Sequence, residues 1–387
     1  MSSAISSVGV VDLTGEQLML RDMVREFARR EVAPLAAEID REERFPIESW
    51  RRGAELGLLG IAAPEEYGGT ELGLTEMCLV GEELSAVCVS TAATLLHQAD
   101  LVIGRFVRHG SAEQQERWLP SLCDGSIIGA LAITEPEAGS DALSMRTTAR
   151  RTPDGYVLNG CKTFITNGPV ADLAVVYSRI DRPEGGLGLF FVEDGTPGFA
   201  KSKKFSKMGW RGSPTGELTF SDCEIPAENL IGAEGEGRAI LFAGLNSERV
   251  VLAAESLGLA RGALEVALKY AGERRQFGQR IGDFQMIQQK LADVYSELQA
   301  ASALTYRAAA LADLGRAGDL TLMASSCKLI AGDLAMKATT EAVQILGGYG
   351  YIDEFPVERY MRDAKLMQIG GGTAEIMRML IARRLLA

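Results

Sequence analysis

Ala132-Ile133-Thr134-Glu135-Pro136-Glu137-Ala138-Gly139-Ser140-Asp141 is the most informative stretch of this 387-residue chain. It sets a hydroxyl, two acids, a proline and a Gly-Ser-Asp step between an apolar run, Ile127 to Leu131, and a second strand-like region. A loop has this composition when its backbone must approach a ligand closely. The same residue types dominate ordinary polar turns, so the stretch taken alone leaves a plain turn open.

Outward from this loop the hydrophobic period changes on both sides. Upstream, from about Thr14 to Gly129, Leu18, Leu20, Met23, Val24, Phe27 and Ala28 recur at helical steps, and Thr14 with Gln17 predicts a capping box. Breaks at Tyr67-Gly68-Gly69 and His109-Gly110 separate further helices. Downstream, from about Leu131 to Gly232, short runs between Gly, Pro and Asp turns predict strands at 155–160, 173–178, 187–192 and 217–220. From Glu236 onward helix returns, in long apolar-periodic stretches near 238–274, 284–314 and 320–346. The chain therefore reads as α+β, mainly α, in three spans: an N-terminal helical domain at 1–129, a middle β-domain at 130–233 and a C-terminal helical domain at 234–387.

Composition bounds the function. The formal charge of -12, without clustered Lys and Arg, argues against a nucleic-acid partner. Six scattered cysteines suit reduced packing thiols, and with no basic leader and no apolar segment of spanning length the reading is cytoplasmic, with no membrane span. His97 and His109 are too few for a His-based metal site, so no metal is expected and both are read as surface or packing residues.

The order of residues in 132–141 resembles the first signature of the acyl-CoA dehydrogenases, flavoenzymes that remove hydrogen from the α and β carbons of an acyl thioester. A second block, Gln344-Ile345-Leu346-Gly347-Gly348-Tyr349-Gly350-Tyr351, continuing to Arg359 and Asp363, resembles the family's other signature. The resemblance runs from about Asp12 to Leu385. It implies the family's fold, in which a helical domain, a β-barrel or sandwich and a four-helix bundle surround FAD.

Residue by residue, the resemblance implies that Leu131, Ile133, Thr134, Gly139 and Ser140 border the flavin, with Ser140 also near the thioester. Phe164, Ile165 and Thr166 would give the isoalloxazine an aromatic face and a hydroxyl at its reactive edge, although many relatives carry Trp where this chain has Phe164. Arg274 would neutralise the pyrophosphate from a neighbouring subunit, with Gln276, Phe277, Phe284 and Gln285 on the same crossing segment. Gln344, Ile345, Gly347, Gly348, Thr373 and Glu375 would complete the cofactor site. Shared sites imply an oligomer, expected as a homotetramer built as a dimer of dimers, and the implied electron acceptor is an electron-transfer flavoprotein.

The reaction needs a carboxylate for the α-proton. Many relatives carry it in a Tyr-Glu-Gly-Thr segment, but this chain reads Gly370-Gly371-Gly372-Thr373. Position 248, which falls at helical spacing on the stripe of Leu241, Leu245, Leu252 and Leu259, is Glu. A carboxylate there must be paired or carry a raised pKa; a core salt bridge to Arg249 or another cation is the plain alternative. Asn246-Ser247-Glu248-Arg249 resembles the isovaleryl-CoA branch, whose base lies on this helix, so Glu248 is the expected base. Asn246, Arg249, Gly371 and Gly372 are expected at the substrate, the Gly371 amide donating to the thioester carbonyl and the missing side chain leaving room for a branch. The expected reaction is oxidation of a branched short- or medium-chain acyl-CoA to the trans-2-enoyl-CoA. A long-chain dehydrogenase, a carrier-bound acyl desaturase, a flavin oxidase or an inactive acyl-CoA-binding subunit remain alternatives.

Overall fold

A computed structural model describes residues 12–181, 186–316 and 320–386. The outermost ends of the expected first and third spans, 1–11 and 387, lie outside the described residues.

The N-terminal region is a stack of helices: α1 (Gly15–Phe27), α2 (Ala36–Glu42), α3 (Ile47–Glu55), α4 (Leu74–Ser85), α5 (Val89–Leu96), α6 (Gly104–His109) and α7 (Ala112–Cys123). The capping box forms as the sequence predicts: Thr14 Oγ1 accepts from the Gln17 amide and the Gln17 side chain accepts from the Thr14 amide. Ser111 and Gln114 repeat the device at α7. Helix α4 is buried almost all round, so its free N-terminal amides need an internal partner. Asp313, far along the chain, supplies it by accepting from the amides of Leu74 and Thr75 at 2.6 and 2.9 Å.

Eight strands follow: β1 (Gly129–Ala132), β2 (Thr148–Arg151), β3 (Gly155–Thr166), β4 (Leu173–Ile180), β5 (Leu187–Glu193), β6 (Phe199–Lys201), β7 (Thr215–Pro226) and β8 (Leu230–Ile231). They form one mixed sheet in the order β6-β7-β3-β2-β4-β5-β8, with β1 parallel to β4. Strand β4 is apolar without alternation because both of its faces are covered. Ala174 and Val176 join Tyr156, Phe190 and Phe220 on one side, while Leu173, Val175 and Tyr177 meet Phe106, Trp118 and Leu241 on the other. The second contact clamps the sheet onto the helices.

The C-terminal region is built on α8 (Gly237–Glu273), 37 residues and so roughly 55 Å long. A short hairpin, β9 (Arg275–Gln276) with β10 (Gln279–Arg280), leads into α9 (Gln285–Asp313), α10 (Leu320–Leu346), α11 (Val357–Ala364) and α12 (Ala374–Leu386). Helix α8 lies against both α4 and α10. The crossing with α4 is close because Gly258 and Gly262 face it: a Cβ at either would stand 2.2 Å from a backbone carbonyl of α4 or its cap. Larger residues there would force α8 away and move everything it carries, including position 248.

Candidate active site

The loop after β1 is held by its first acid. Glu135 accepts from the Thr147 amide at 2.9 Å, from the Arg146 amide and from the Lys162 ammonium at 2.8 Å, and it exchanges backbone bonds with Ala138. Lys162 is fully buried on β3 and among the described residues otherwise donates to the Ile133 carbonyl and the Met145 sulfur. This buried pair fixes the loop so that Leu131, Ile133, Thr134, Gly139 and Ser140 line a cavity of about 580 Å³. Neither Glu135 nor Lys162 was singled out from the sequence, where no local signal marks the pair.

Strand β3 supplies a second wall. Its register with β7 slips between Lys162 and Ile165, and at this bulge Phe164 takes a left-handed backbone, φ 59°. An aromatic residue in that region is strained, and such strain collects at functional sites. The bulge leaves Phe164 68% exposed at the cavity, with Ile165 and Thr166 beside it. The hydroxyls of Thr134, Ser140 and Thr166 have no side-chain hydrogen-bond partner among the described residues. An exposed ring flanked by free hydroxyls is a donor set that fits a flavin.

Helix α8 and the glycine segment form the opposite wall. Glu248, Gly371, Gly372 and Thr373 all line the cavity. The Glu248 Oε1 atom lies 3.7 Å from where a Cβ on Gly371 would stand. Among the described residues its Oε2 atom is buried with no hydrogen-bond partner and the carboxyl forms no salt bridge, the arrangement expected as the alternative. Arg249 points elsewhere: Nε donates to the Gly371 carbonyl at 3.3 Å and a terminal nitrogen donates to Asn246 at 3.2 Å. Although the residue keeps some exposure where it borders the cavity, the surrounding protein desolvates the Glu248 carboxyl and pushes its pKa up to about 7; Asp100 adds to the rise, while Arg105, Arg249 and Lys328 oppose it.

Asn246 and Arg249, expected at the substrate, are not among the residues that line this cavity: Asn246 donates to Thr321 and Arg249 donates to the Gly371 carbonyl. The room expected beside Gly371 is limited by Leu252, since a Cβ there would come 2.4 Å from Leu252 Cδ1, the tip of a side chain that would have to turn aside. The φ of +62° at Gly371 lies in the region that favours glycine, which is itself a reason for the residue.

His97, read from the sequence as a surface or packing residue, also lines the cavity. Its Nε2 accepts from the Leu131 amide at 3.0 Å, so the ring is neutral, and burial pushes its pKa down to about 3. Asp100, Lys207 and Glu255 are further polar residues on the lining that sequence reading missed.

The remaining cofactor candidates lie apart. Arg274, Gln276, Ile345 and Gly348 line a second concavity of about 540 Å³ that shares no lining residue with the first. Arg274 makes no ion pair among the described residues, and its guanidinium sits 5.9 Å from the Tyr349 ring centre. Phe277 occupies the tip of the β9–β10 turn with φ 52° and is 93% exposed. Phe284 N-caps the next helix, which begins at Gln285, whereas Gln344, Gly347 and Glu375 line neither concavity.

Comparison with known proteins accounts for this geometry. The chain matches "Acyl-CoA dehydrogenase, N-terminal domain" over residues 14–126, "Acyl-CoA dehydrogenase, middle domain" over 130–223 and "Acyl-CoA dehydrogenase, C-terminal domain" over 235–386. It is 47% identical to cyclohex-1-ene-1-carbonyl-CoA dehydrogenase of Geobacter metallireducens, covering 97% of this chain and 99% of that protein. It is 43% identical to the mitochondrial isovaleryl-CoA dehydrogenase of Oryza sativa subsp. japonica, covering 99% and 93%. A chain from the solved structure described as "Electron transferring flavoprotein of Acidaminococcus fermentans" superposes with a TM-score of 0.94 at 43% identity, covering 97% of this chain and 99% of that one. Among the described residues no helix is long and apolar enough to cross a membrane. The chain belongs to the acyl-CoA dehydrogenase family, flavin-dependent oxidoreductases whose cofactor is FAD.

Proposed function

We propose that this chain oxidises a short- or medium-chain acyl-CoA to its trans-2-enoyl-CoA, with Glu248 as the base. The observation that carries the reading is the approach of the Glu248 carboxyl to within 3.7 Å of the Cβ position of Gly371. Position 371 is where the resemblance puts the base of other relatives, so the two candidate positions converge on one point in space. FAD, when bound, supplies the acceptor for the β-hydrogen. Phe164, Thr134, Ser140 and Thr166 hold and orient the ring, and Glu248, with a pKa near neutral, takes the α-proton. The Gly371 amide donates to the thioester carbonyl and stabilises the charge that develops as the proton leaves. Preference for a branched acyl group rests on the isovaleryl-CoA relative, since the room beside Gly371 is limited by Leu252.

The FAD site is shared between subunits in this reading. One protomer offers the ring platform at Phe164 and, in a separate concavity, an unpaired Arg274 suited to pyrophosphate. A second protomer brings the two together, and the fully presented Phe277 ring is the part of the crossing turn that it covers. A homotetramer that passes electrons to an electron-transfer flavoprotein completes the proposal. Anaerobic bleaching of the flavin by a panel of acyl-CoAs tests it: bleaching by branched or short straight chains supports the reading, and no bleaching by any acyl-CoA defeats it. Arg274→Ala is expected to weaken FAD retention about tenfold or more with little change in folding; equal loss of both would make Arg274 a structural residue.

A further inference from the structure

The cavity is bordered at one end by the exposed Phe164 and Ile369 and elsewhere by the buried Ala93, Leu96 and Glu255. Glu255 is out of place there. It lies seven residues beyond Glu248, roughly 10 Å further along α8 on the same side, and only 2% of its surface is exposed. Its side chain has no hydrogen bond and no ion pair among the described residues, although it borders the cavity. Its stem passes Gly81 of α4, where an added Cβ would stand 3.4 Å from Glu255 Cγ, so the missing side chain at Gly81 leaves room for the glutamate. Desolvation, then the nearby Glu248 and Asp100, push its pKa up to about 8, which keeps it a neutral acid able both to donate and to accept.

An alkyl tail reaching Glu255 would leave a buried carboxyl unsatisfied, and sites with that property reject ligands that cannot hydrogen-bond. A distal carboxylate is disfavoured too, because it would share the cavity with the acids Glu248 and Asp100, while Lys207 on the lining already donates to Ser213 and Thr215.

We propose that Glu255 is a specificity-determining residue that selects acyl groups carrying an uncharged oxygen function, a hydroxyl or a carbonyl, several carbons beyond the thioester. This rests on the acyl-CoA dehydrogenase reading above, with Glu248 reacting at the α-carbon while Glu255 holds the far end of the same substrate.

The test compares hexanoyl-CoA with ω-hydroxyhexanoyl-CoA, and octanoyl-CoA with ω-hydroxyoctanoyl-CoA, as reductants of the flavin in the holoenzyme. The expected result is at least a tenfold higher kcat/KM for one hydroxylated member over its alkyl partner. Glu255→Leu should reverse that ratio while flavin content is kept, and Glu255→Gln should retain part of it. A wild-type preference for both plain chains, or a ratio unchanged in Glu255→Leu and Glu255→Gln, overturns the proposal while leaving the dehydrogenase reading intact. Absence of bleaching by all four compounds and by the branched panel would instead strike the dehydrogenase reading, and this inference with it. A parallel arm with ω-aminohexanoyl-CoA fixes the charge: faster reduction by the ammonium compound than by the hydroxyl one overturns the assignment to an uncharged group.

Discussion

Two sets of desolvated acids lie along α8, one on the facing helix α4 and one on α8 itself, and the protein treats them in opposite ways. Glu82 and Glu83 on α4 are fully buried, and both face Arg261, whose guanidinium lies 3.2 Å from one and 2.9 Å from the other. Arg25 adds a second cation to Glu83 at 2.7 Å, and the Tyr306 hydroxyl donates to Glu82. Burial would raise the Glu83 pKa, but the two arginines overcome it and hold the carboxyl below its ordinary value. Two to four turns earlier on α8, Glu248 and Glu255 have no such partner, and burial wins. The first set joins α4 to α8; the second leaves free energy stored at a cavity wall, which is the condition a general base needs.

The largest test of this contrast is Arg261→Met. Removing the shared cation strands two buried carboxylates, so unfolding free energy is expected to fall by about 3–5 kcal/mol, read from the urea midpoint of the FAD-loaded protein. A change within a few tenths of a kcal/mol would show that the network has no net role in holding α4 to α8.

Glu248→Gln should do the reverse to each property. The rate of flavin reduction by substrate is expected to drop by roughly 10²-fold or more, measured by anaerobic stopped flow, while FAD stays bound. At pH 8 the same substitution should stabilise the fold by on the order of 1 kcal/mol, because it removes an unpaired buried charge. Near-normal reduction would refute the base assignment.

The pH slopes sharpen the comparison. Folding raises the proton affinity of Glu248, so its contribution to stability is present in acid and is lost as pH climbs from the ordinary carboxylate range through about 7. Glu83 is depressed, so its contribution is present at neutral pH and is lost as pH falls through its lowered value. Flavin reduction should accordingly rise about tenfold per pH unit below 7 and level off above it. A flat profile between pH 5.5 and 8 would mean that the carboxyl is not titrating in the free enzyme.

The smallest expected effect is a recovery. Moving the carboxylate by combining Glu248→Gly with Gly371→Glu should give an inactive protein, since the new side chain meets Leu252 and a left-handed backbone. Adding Leu252→Ala to that pair is expected to restore roughly tenfold over it, with the remaining deficit set by backbone strain of about 1–2 kcal/mol. Equal activity with and without Leu252→Ala would show that Leu252 is not what bars the exchange.

Much of the architecture was legible because period carries it. The stripe of Leu241, Leu252 and Leu259 marks α8, and the Thr14 and Gln17 box marks the start of α1. The loop at 132–141 and the glycine segment meet at one cavity with Glu248. What stayed hidden depends on tertiary approach. Nothing local to Glu135 says that Lys162, 27 residues on, will bury beside it. His97 looks like one more helical residue until the Leu131 amide is seen to bond it. Asn246 and Arg249 have the right chemistry for a ligand but are turned toward Thr321 and the Gly371 carbonyl. Glu255 is a single acid in an alanine-rich helix, and its isolation becomes visible only when every neighbour is in place.

Leu252 beside Gly371 also bears on how the site could be rebuilt. A side chain at position 371 would meet Leu252 Cδ1 at 2.4 Å on a left-handed backbone, so carrying the carboxylate from helix to loop asks the leucine tip to turn aside as well as for the two replacements. Relocating the base is therefore a three-residue problem, in which the third residue contributes no chemistry of its own.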